Sequence, residues 1–165
     1  MSRAAPSIAV ALALALAGCN KPSAQGPAFG TTATAKSVAA DAEAVVAAYN
    51  AHDAERAVAF DAPDYVGIFH GGPNTVSPAA DLAGMKQQLK DPLAKWEIAG
   101  GKATVPQSGD IGIYEASYTL TMTNPATGSP INEHGNWIAI FKRQPDGTMK
   151  LWRSIGSDVP SKEAE

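Results

Sequence analysis

Residues 43–69, EAVVAAYNAHDAERAVAFDAPDYVGIF, decide the fold. Val38, Ala42, Val45, Val46 and Tyr49 recur at i, i+4, i+7, i+8 and i+11, which is one face of a helix entering this stretch. Asn50-Ala51-His52-Asp53 breaks that helix, and the Asp53 carboxylate is placed to cap a second one. The second helix has Ala57, Val58 and Phe60 as its buried side, and Asp61-Ala62-Pro63 ends it. Residues 64–70, DYVGIFH, then read as a strand.

Working outward toward the C-terminus, Gly71-Gly72-Pro73-Asn74 is a turn, and Thr75-Val76 returns as a very short partner strand. Ser77-Pro78 supplies a hydroxyl cap followed by Pro at the first helical position. Leu82, Met85 and Leu89 keep helical spacing until Asp91-Pro92 stops it. Four strand-like runs follow, over 93–105, 110–123, 131–143 and 148–158. In the second, Gly112, Tyr114, Ala116, Tyr118, Leu120 and Met122 alternate with polar residues and so share one face. Helices gathered on one side of strands joined as hairpins predict an α+β domain: a cone-shaped, curved, mixed or antiparallel β-sheet wrapped around three N-terminal helices. The mouth of such a cone is the expected ligand site.

Toward the N-terminus the chain changes character. Met1-Ser2-Arg3 is a short positive segment, and 8–17, IAVALALALA, is apolar but too short to span a bilayer as a stable helix. Leu16-Ala17-Gly18-Cys19 resembles the lipobox of bacterial lipoproteins, in which the Cys is lipidated and becomes the mature N-terminus. Cys19 is the single cysteine of the chain, so the domain has no disulfide. Residues 1–18 are expected to be the signal peptide, and 19–36 the lipidated Cys and a Pro/Gly/Ser/Thr/Ala-rich tether. The domain is expected over 37–160, opening near the N-cap Ser37, with a tail over 161–165. Asn20 follows the Cys rather than Asp, which favours the outer membrane facing the periplasm over the inner membrane.

Among 165 residues, 45% hydrophobic and 18% charged, the net charge is only −3 and no Lys/Arg run occurs. That composition argues against disorder and against a nucleic-acid partner. Three scattered His residues show no metal-ligand spacing, and no phosphate loop or nucleophile elbow occurs. No cofactor or metal is therefore expected.

The helix order, with Tyr49-Asn50-Ala51-His52-Asp53 ahead of a Phe-ended helix, is similar to the nuclear transport factor 2-like superfamily, in its SnoaL-like and ketosteroid-isomerase-like branch. The ending Trp137–Lys142, Pro145-Asp146-Gly147 and Leu151-Trp152 resembles the closing hairpin of that branch. The resemblance implies the cone fold over 37–158, a small-molecule pocket and frequent dimers. It also implies a catalytic Tyr in the first helix and a catalytic Asp near the end of the first strand. Those positions hold Val45 and Ile68/Phe69, which argues against that reaction.

The remaining candidates carry two readings each. His70 beside Gly71-Gly72 is a general base at the mouth or an exposed loop histidine, the second weighing more. His134 follows Glu133, but adjacent strand residues point to opposite faces, which disfavours a base–carboxylate pair. Arg153 shares a stripe with Met149, Leu151 and Ile155. It holds an anionic ligand in the cone, or it forms an internal ion pair or stands on a strand whose other face (Trp152, Ser154, Gly156) is the buried one, these last weighing slightly more. Tyr49, Tyr114 and Tyr118 are expected to line the pocket.

Three functions are therefore kept open. The first is a lipid-anchored envelope domain binding a small, partly apolar molecule. The second is an isomerase or cyclase using a non-standard acid/base residue. The third is a dimerisation or interaction module built on the outer sheet face, which carries Ile138 and Ile140 opposite Trp137, Ala139 and Phe141. An ionisable group inside the cavity with a strongly shifted pKa separates the second from the others.

Overall fold

The computed structural model describes residues 30–159. Its order is α1 (Thr31–Asn50), α2 (Ala54–Val58), β1 (Asp61–Phe69), α3 (Pro78–Gln88), β2 (Lys95–Thr104), β3 (Ile111–Thr123), β4 (Pro130–Arg143) and β5 (Met149–Asp158). The strands form one sheet in the order β1-β5-β4-β3-β2. β2, β3, β4 and β5 are antiparallel neighbours, and β1 pairs with β5 in parallel. The sheet is therefore mixed and curved, with the helices N-terminal, as expected. The expected signal peptide (1–18), Cys19, most of the expected tether (19–36) and the expected tail (161–165) lie outside the described residues.

The break between α1 and α2 is built as the residue types require. His52 takes a positive φ of 55°, which turns the chain, and its ring Nδ1 lies 2.9 Å from the Leu89 carbonyl. The Asp53 carboxylate then accepts the Arg56 N–H at 3.0 Å. Asn50 spans to β2, donating to the Trp96 carbonyl at 2.7 Å and accepting the Trp96 N–H at 2.7 Å. Ser77 caps α3 by accepting the Ala80 N–H at 3.1 Å. Below α3, Asp91 accepts from the Thr123 N–H and hydroxyl at 2.6 and 2.7 Å and ties the helix to the end of β3. Thr75 forms only a two-bond bridge with Gly67 rather than a strand.

Three boundaries differ from the sequence expectation. α1 begins at Thr31, not near Ser37. Its first turns have no apolar stripe to reveal them; they are held instead by Arg143, whose guanidinium reaches the Thr34 hydroxyl at 3.3 Å as well as the carbonyls of Gly109 and Gly147. α2 ends at Val58, and Asp61 is the first residue of β1 rather than a helix stop. Finally, β5 carries a bulge: Phe141 pairs with Leu151 and Ile140 with Arg153, so Trp152 is an extra residue. One extra residue reverses which side chains face inward.

The core lies between α1 and the concave face of β3, β4 and β5. Val38, Tyr114, Trp137 and Phe141 are its largest fully buried side chains. Trp137 stands at its centre, edge-on to Trp96 at 4.6 Å and to Tyr114 at 5.7 Å between centroids. Two glycines permit the close packing. Gly112 lets Val38 approach β3, and Gly135 lets the Tyr118 ring lie flat across β4, where a Cβ would meet the Ser157 carbonyl.

Candidate functional site

Between the helices and the wide end of the sheet lies a cavity of about 340 Å³. This is at the lower end of the range typical of small-molecule pockets, roughly 300–1,000 Å³. Its walls are aromatic: Tyr49, Tyr65, Phe69, Trp96, Tyr118 and Trp137. Each is placed by the period of its element. Val45 and Tyr49 are one turn apart on α1, and Tyr65 and Phe69 share the inward parity of β1.

Two carboxyls face this apolar space. Asp61 starts β1 and is 9% exposed, with its Oδ2 bound to no partner among the described residues. Burial, and then the charge of Asp81, push its pKa up to about 8, against a lowering pull from Lys150. Asp81 stands on α3 one turn before Met85, and both line the cavity. Burial raises its pKa to about 6, while the Tyr65 hydroxyl, which donates to Oδ1 at 3.4 Å, pulls the other way. Burial also raises Tyr65 itself, with Asp81 and Asp61 adding to it. The Tyr49 hydroxyl is buried without a partner among the described residues, and burial carries its pKa up to about 12. Across the floor, the Trp137 indole N–H donates to the buried Ser154 hydroxyl at 2.9 Å.

A second polar group stands at the mouth. Tyr118 donates to Glu133, and burial together with that bond raises the Tyr118 pKa. The Glu133 carboxylate lies 3.4 Å from His70 Nε2, and Asp158 lies 3.9 Å from His70 Nδ1.

The sequence candidates divide between these surfaces. Tyr49, Tyr118 and His70 line the cavity. His134 is on the opposite face of β4 from Glu133, with its Nδ1 3.0 Å from the Thr119 hydroxyl. Tyr114 is a correction. It is 1% exposed and lies under Gly101, one layer deeper than the cavity wall, so it is core. Arg153 is a second correction. The bulge at Trp152 turns its side chain outward, where the guanidinium stacks 3.9 Å from the Trp152 ring and donates to the Asp64 carbonyl at 2.9 Å. Its former inward place is taken by Ser154. Val45 lines the cavity where the resemblance implied a Tyr; Phe69 lines it too, while Ile68 is exposed.

Asp61 and Asp81 were not read from the sequence as site residues. The available signal was weak but real. Asp81 stands four residues before Met85 and seven before Gln88, whereas the register irregularity between Asp61 and Val66 leaves Asp61 without a parity signal.

Chemically, the cavity holds two carboxyls whose surroundings push their pKa values apart, so that near neutral pH one retains its proton and the other does not. Such a pair can give a proton at one point of a ligand and take one at another. The described residues contain no cluster of His, Cys, Asp and Glu suited to a metal ion.

No family model matches this sequence, and no curated protein matches it. Solved structures do. A ketosteroid isomerase-like protein from Erwinia carotovora atroseptica is 21% identical with a TM-score of 0.63, over 78% of this chain and 96% of its own. A candidate dehydratase of the nuclear transport factor 2-like family from Streptomyces avermitilis is 16% identical with a TM-score of 0.67, over 79% and 99%. A nuclear transport factor 2-like superfamily protein from Salmonella enterica is 10% identical with a TM-score of 0.66, over 81% and 95%. With the helix order, the mixed five-stranded sheet and the cavity between them, these likenesses establish that the chain has the nuclear transport factor 2-like, ketosteroid isomerase-like fold.

Proposed function

We propose that the protein is a cell-envelope lipoprotein whose cone takes up a small, partly apolar molecule and moves a proton on it, with Asp61 as donor and Asp81 as acceptor. The observation that carries this reading is Asp61. A carboxyl 9% exposed with an oxygen bound to no described partner weakens the fold, and nearby packing offers no structural use for it. Groups held at such a disadvantage concentrate where chemistry is done. Tyr49 and Tyr118 supply wall, and His70 belongs to the mouth. Two of the similar structures are named for an isomerase and a dehydratase, both reactions that shift protons, which supports the same class here.

The test is hydrogen–deuterium exchange at carbon, followed by NMR in D₂O with the full-length chain in detergent. The probes are cyclic enones, aryl ketones and the corresponding imines. Exchange above buffer is expected for at least one probe. Its rate should be bell-shaped in pH, rising through about 6 as Asp81 ionises and falling through about 8 as Asp61 loses its proton. Asp81→Asn should abolish it. Exchange that persists in Asp81→Asn, or a profile flat between those limbs, sinks the assignment.

The anchor has its own test. In a bacterial host, globomycin should block removal of residues 1–18 and leave a heavier, unprocessed chain. Processing unaffected by globomycin excludes Cys19 as a lipoprotein acceptor.

A further inference from the structure

The polar lining of the cavity is one-sided. Asp61, Asp81 and Glu133 face it, and among its described lining residues there is no Lys or Arg. Lys150, whose charge lowers the Asp61 pKa, is not among the lining residues, and its ammonium donates to the Ala59 carbonyl at 2.7 Å. At the mouth His70 is flanked by Glu133 and Asp158. An anionic ligand would enter a negative, poorly solvated space with no counter-charge, and a developing oxyanion would meet only neutral donors. The walls, by contrast, carry the aromatic rings of Tyr65, Trp96, Tyr118 and Trp137, whose faces attract positive charge where they are presented to it. At the inner end Asp61 Oδ2 is buried with no partner among the described residues, and the residue is 9% exposed.

We propose that the molecule taken by this cavity carries a basic nitrogen that receives its proton from Asp61, leaving an ammonium or iminium ion paired with the carboxylate at the inner end of the cone. The balance is simple. The Asp61 O–H bond breaks, an N–H bond forms, and the negative charge stays on Asp61 beside the new positive charge. Where that nitrogen belongs to an imine, Asp81, held by the Tyr65 hydroxyl, then takes a proton from the carbon adjacent to the C=N carbon, whose acidity the iminium charge has raised; that C–H pair of electrons becomes the enamine C=C bond as the C=N pair returns to nitrogen. An imine is thereby converted to its enamine, or the reverse. This deepens the proposed function and rests on the same cavity being the ligand site; it adds the charge class of the ligand.

Calorimetric titration of the full-length chain in detergent with three probes of one size tests it: 2-phenylethylamine, 2-phenylethanol and phenylacetate. The amine is expected to bind about tenfold or more tightly than the alcohol, the carboxylate not measurably. Asp61→Asn should bring the amine down to the level of the alcohol and leave the alcohol unchanged, which separates lost charge recognition from a lost fold. Equal or tighter binding of the alcohol or carboxylate overturns the nitrogen assignment and leaves the cavity as the ligand site. Amine preference that survives in Asp61→Asn overturns the role of Asp61. Failure of all three to bind overturns both this inference and the cavity reading beneath it.

Discussion

Asp61→Asn is expected to stabilise the protein by about 2–4 kcal/mol at pH 8, with a gain near zero at pH 4. The reasoning starts from the carboxyl's value of about 8 in the fold against 3.8 for an unperturbed Asp. As pH rises through 3.8, the unfolded chain releases this proton first while the folded chain retains it. Between those two values the unfolded state binds fewer protons, so stability falls with pH. Above about 8 the loss is complete. At 1.36 kcal/mol per pKa unit the full difference is about 6 kcal/mol. Side-chain relaxation and water entry reduce it, hence the smaller figure. Asn is nearly isosteric and neutral in both states, so it removes the pH-dependent part alone. Urea unfolding of both proteins between pH 4 and pH 9 measures the gap directly. A gap that stays constant with pH means that Asp61 ionises normally in the fold, and the acid–base assignment loses its foundation. The same substitution should abolish proton exchange on any responding probe. Stability gained with activity lost is the signature of a residue retained for function.

That signature was invisible in the sequence for a local reason. Asp61 stands between a helix and a proline, and Asp-Ala-Pro is a common way to stop a helix. Asp61 opens β1 ahead of a register irregularity that lies between it and Val66, so its place in the cone does not follow from alternation with Tyr65. The parallel pairing of Asp61 with Leu151 on β5 is what closes the floor around it, and a partner ninety residues away leaves no trace in local pattern. Arg153 failed for the complementary reason. Strict alternation from Met149 predicted it inward, and one bulged residue, Trp152, reversed the phase. The bulge is anchored by tertiary contacts: the Trp152 indole donates to Asp64 at 2.9 Å, with Lys142 lying 5.0 Å over the ring. The long alternating run of β3, by contrast, placed Tyr118 and its neighbours correctly, and the Asp53 and Ser77 caps formed where residue type and spacing put them. Elements with dense local signals were legible. The site, assembled from the first residue of one strand and the α3 face of Asp81, Met85 and Gln88, was not.

Trp137→Ala should cost about 4–5 kcal/mol, enough to bring an ordinary domain of this size to the edge of unfolding. Trp137 is 1% exposed, pairs with Ala116 on β3 and Gly156 on β5, and holds Trp96 and Tyr114 edge-on. Because α1 and four strands meet around it, the walls cannot close on the space that truncation leaves. Part of the cost has a different origin: Ser154, 3% exposed, would lose the indole donor at 2.9 Å. Trp137→Phe separates the two, since it keeps most of the ring packing and removes only the donor, at about 1–2 kcal/mol. Urea melts of both variants at pH 3, below the ordinary Asp value of 3.8, where the Asp61 carboxyl is protonated in the folded and the unfolded chain alike, make the comparison with little contribution from its titration. If Trp137→Phe is as damaging as Trp137→Ala, the hydrogen bond to Ser154 and not the aromatic cluster organises this core. If Trp137→Ala costs less than about 1.5 kcal/mol, the centre of stability lies elsewhere, in the α1–β3 contact of Val38 with Gly112. The site gives a reason to expect the large value. Trp137 is at once the middle of the core and the floor of the cavity, so the packing that holds the sheet to α1 is the packing that keeps Asp61 out of water. Loosening it admits solvent to the carboxyl, moves its pKa back toward that of an ordinary Asp, and should therefore shift the alkaline limb of the exchange profile to lower pH in any Trp137 variant that still folds.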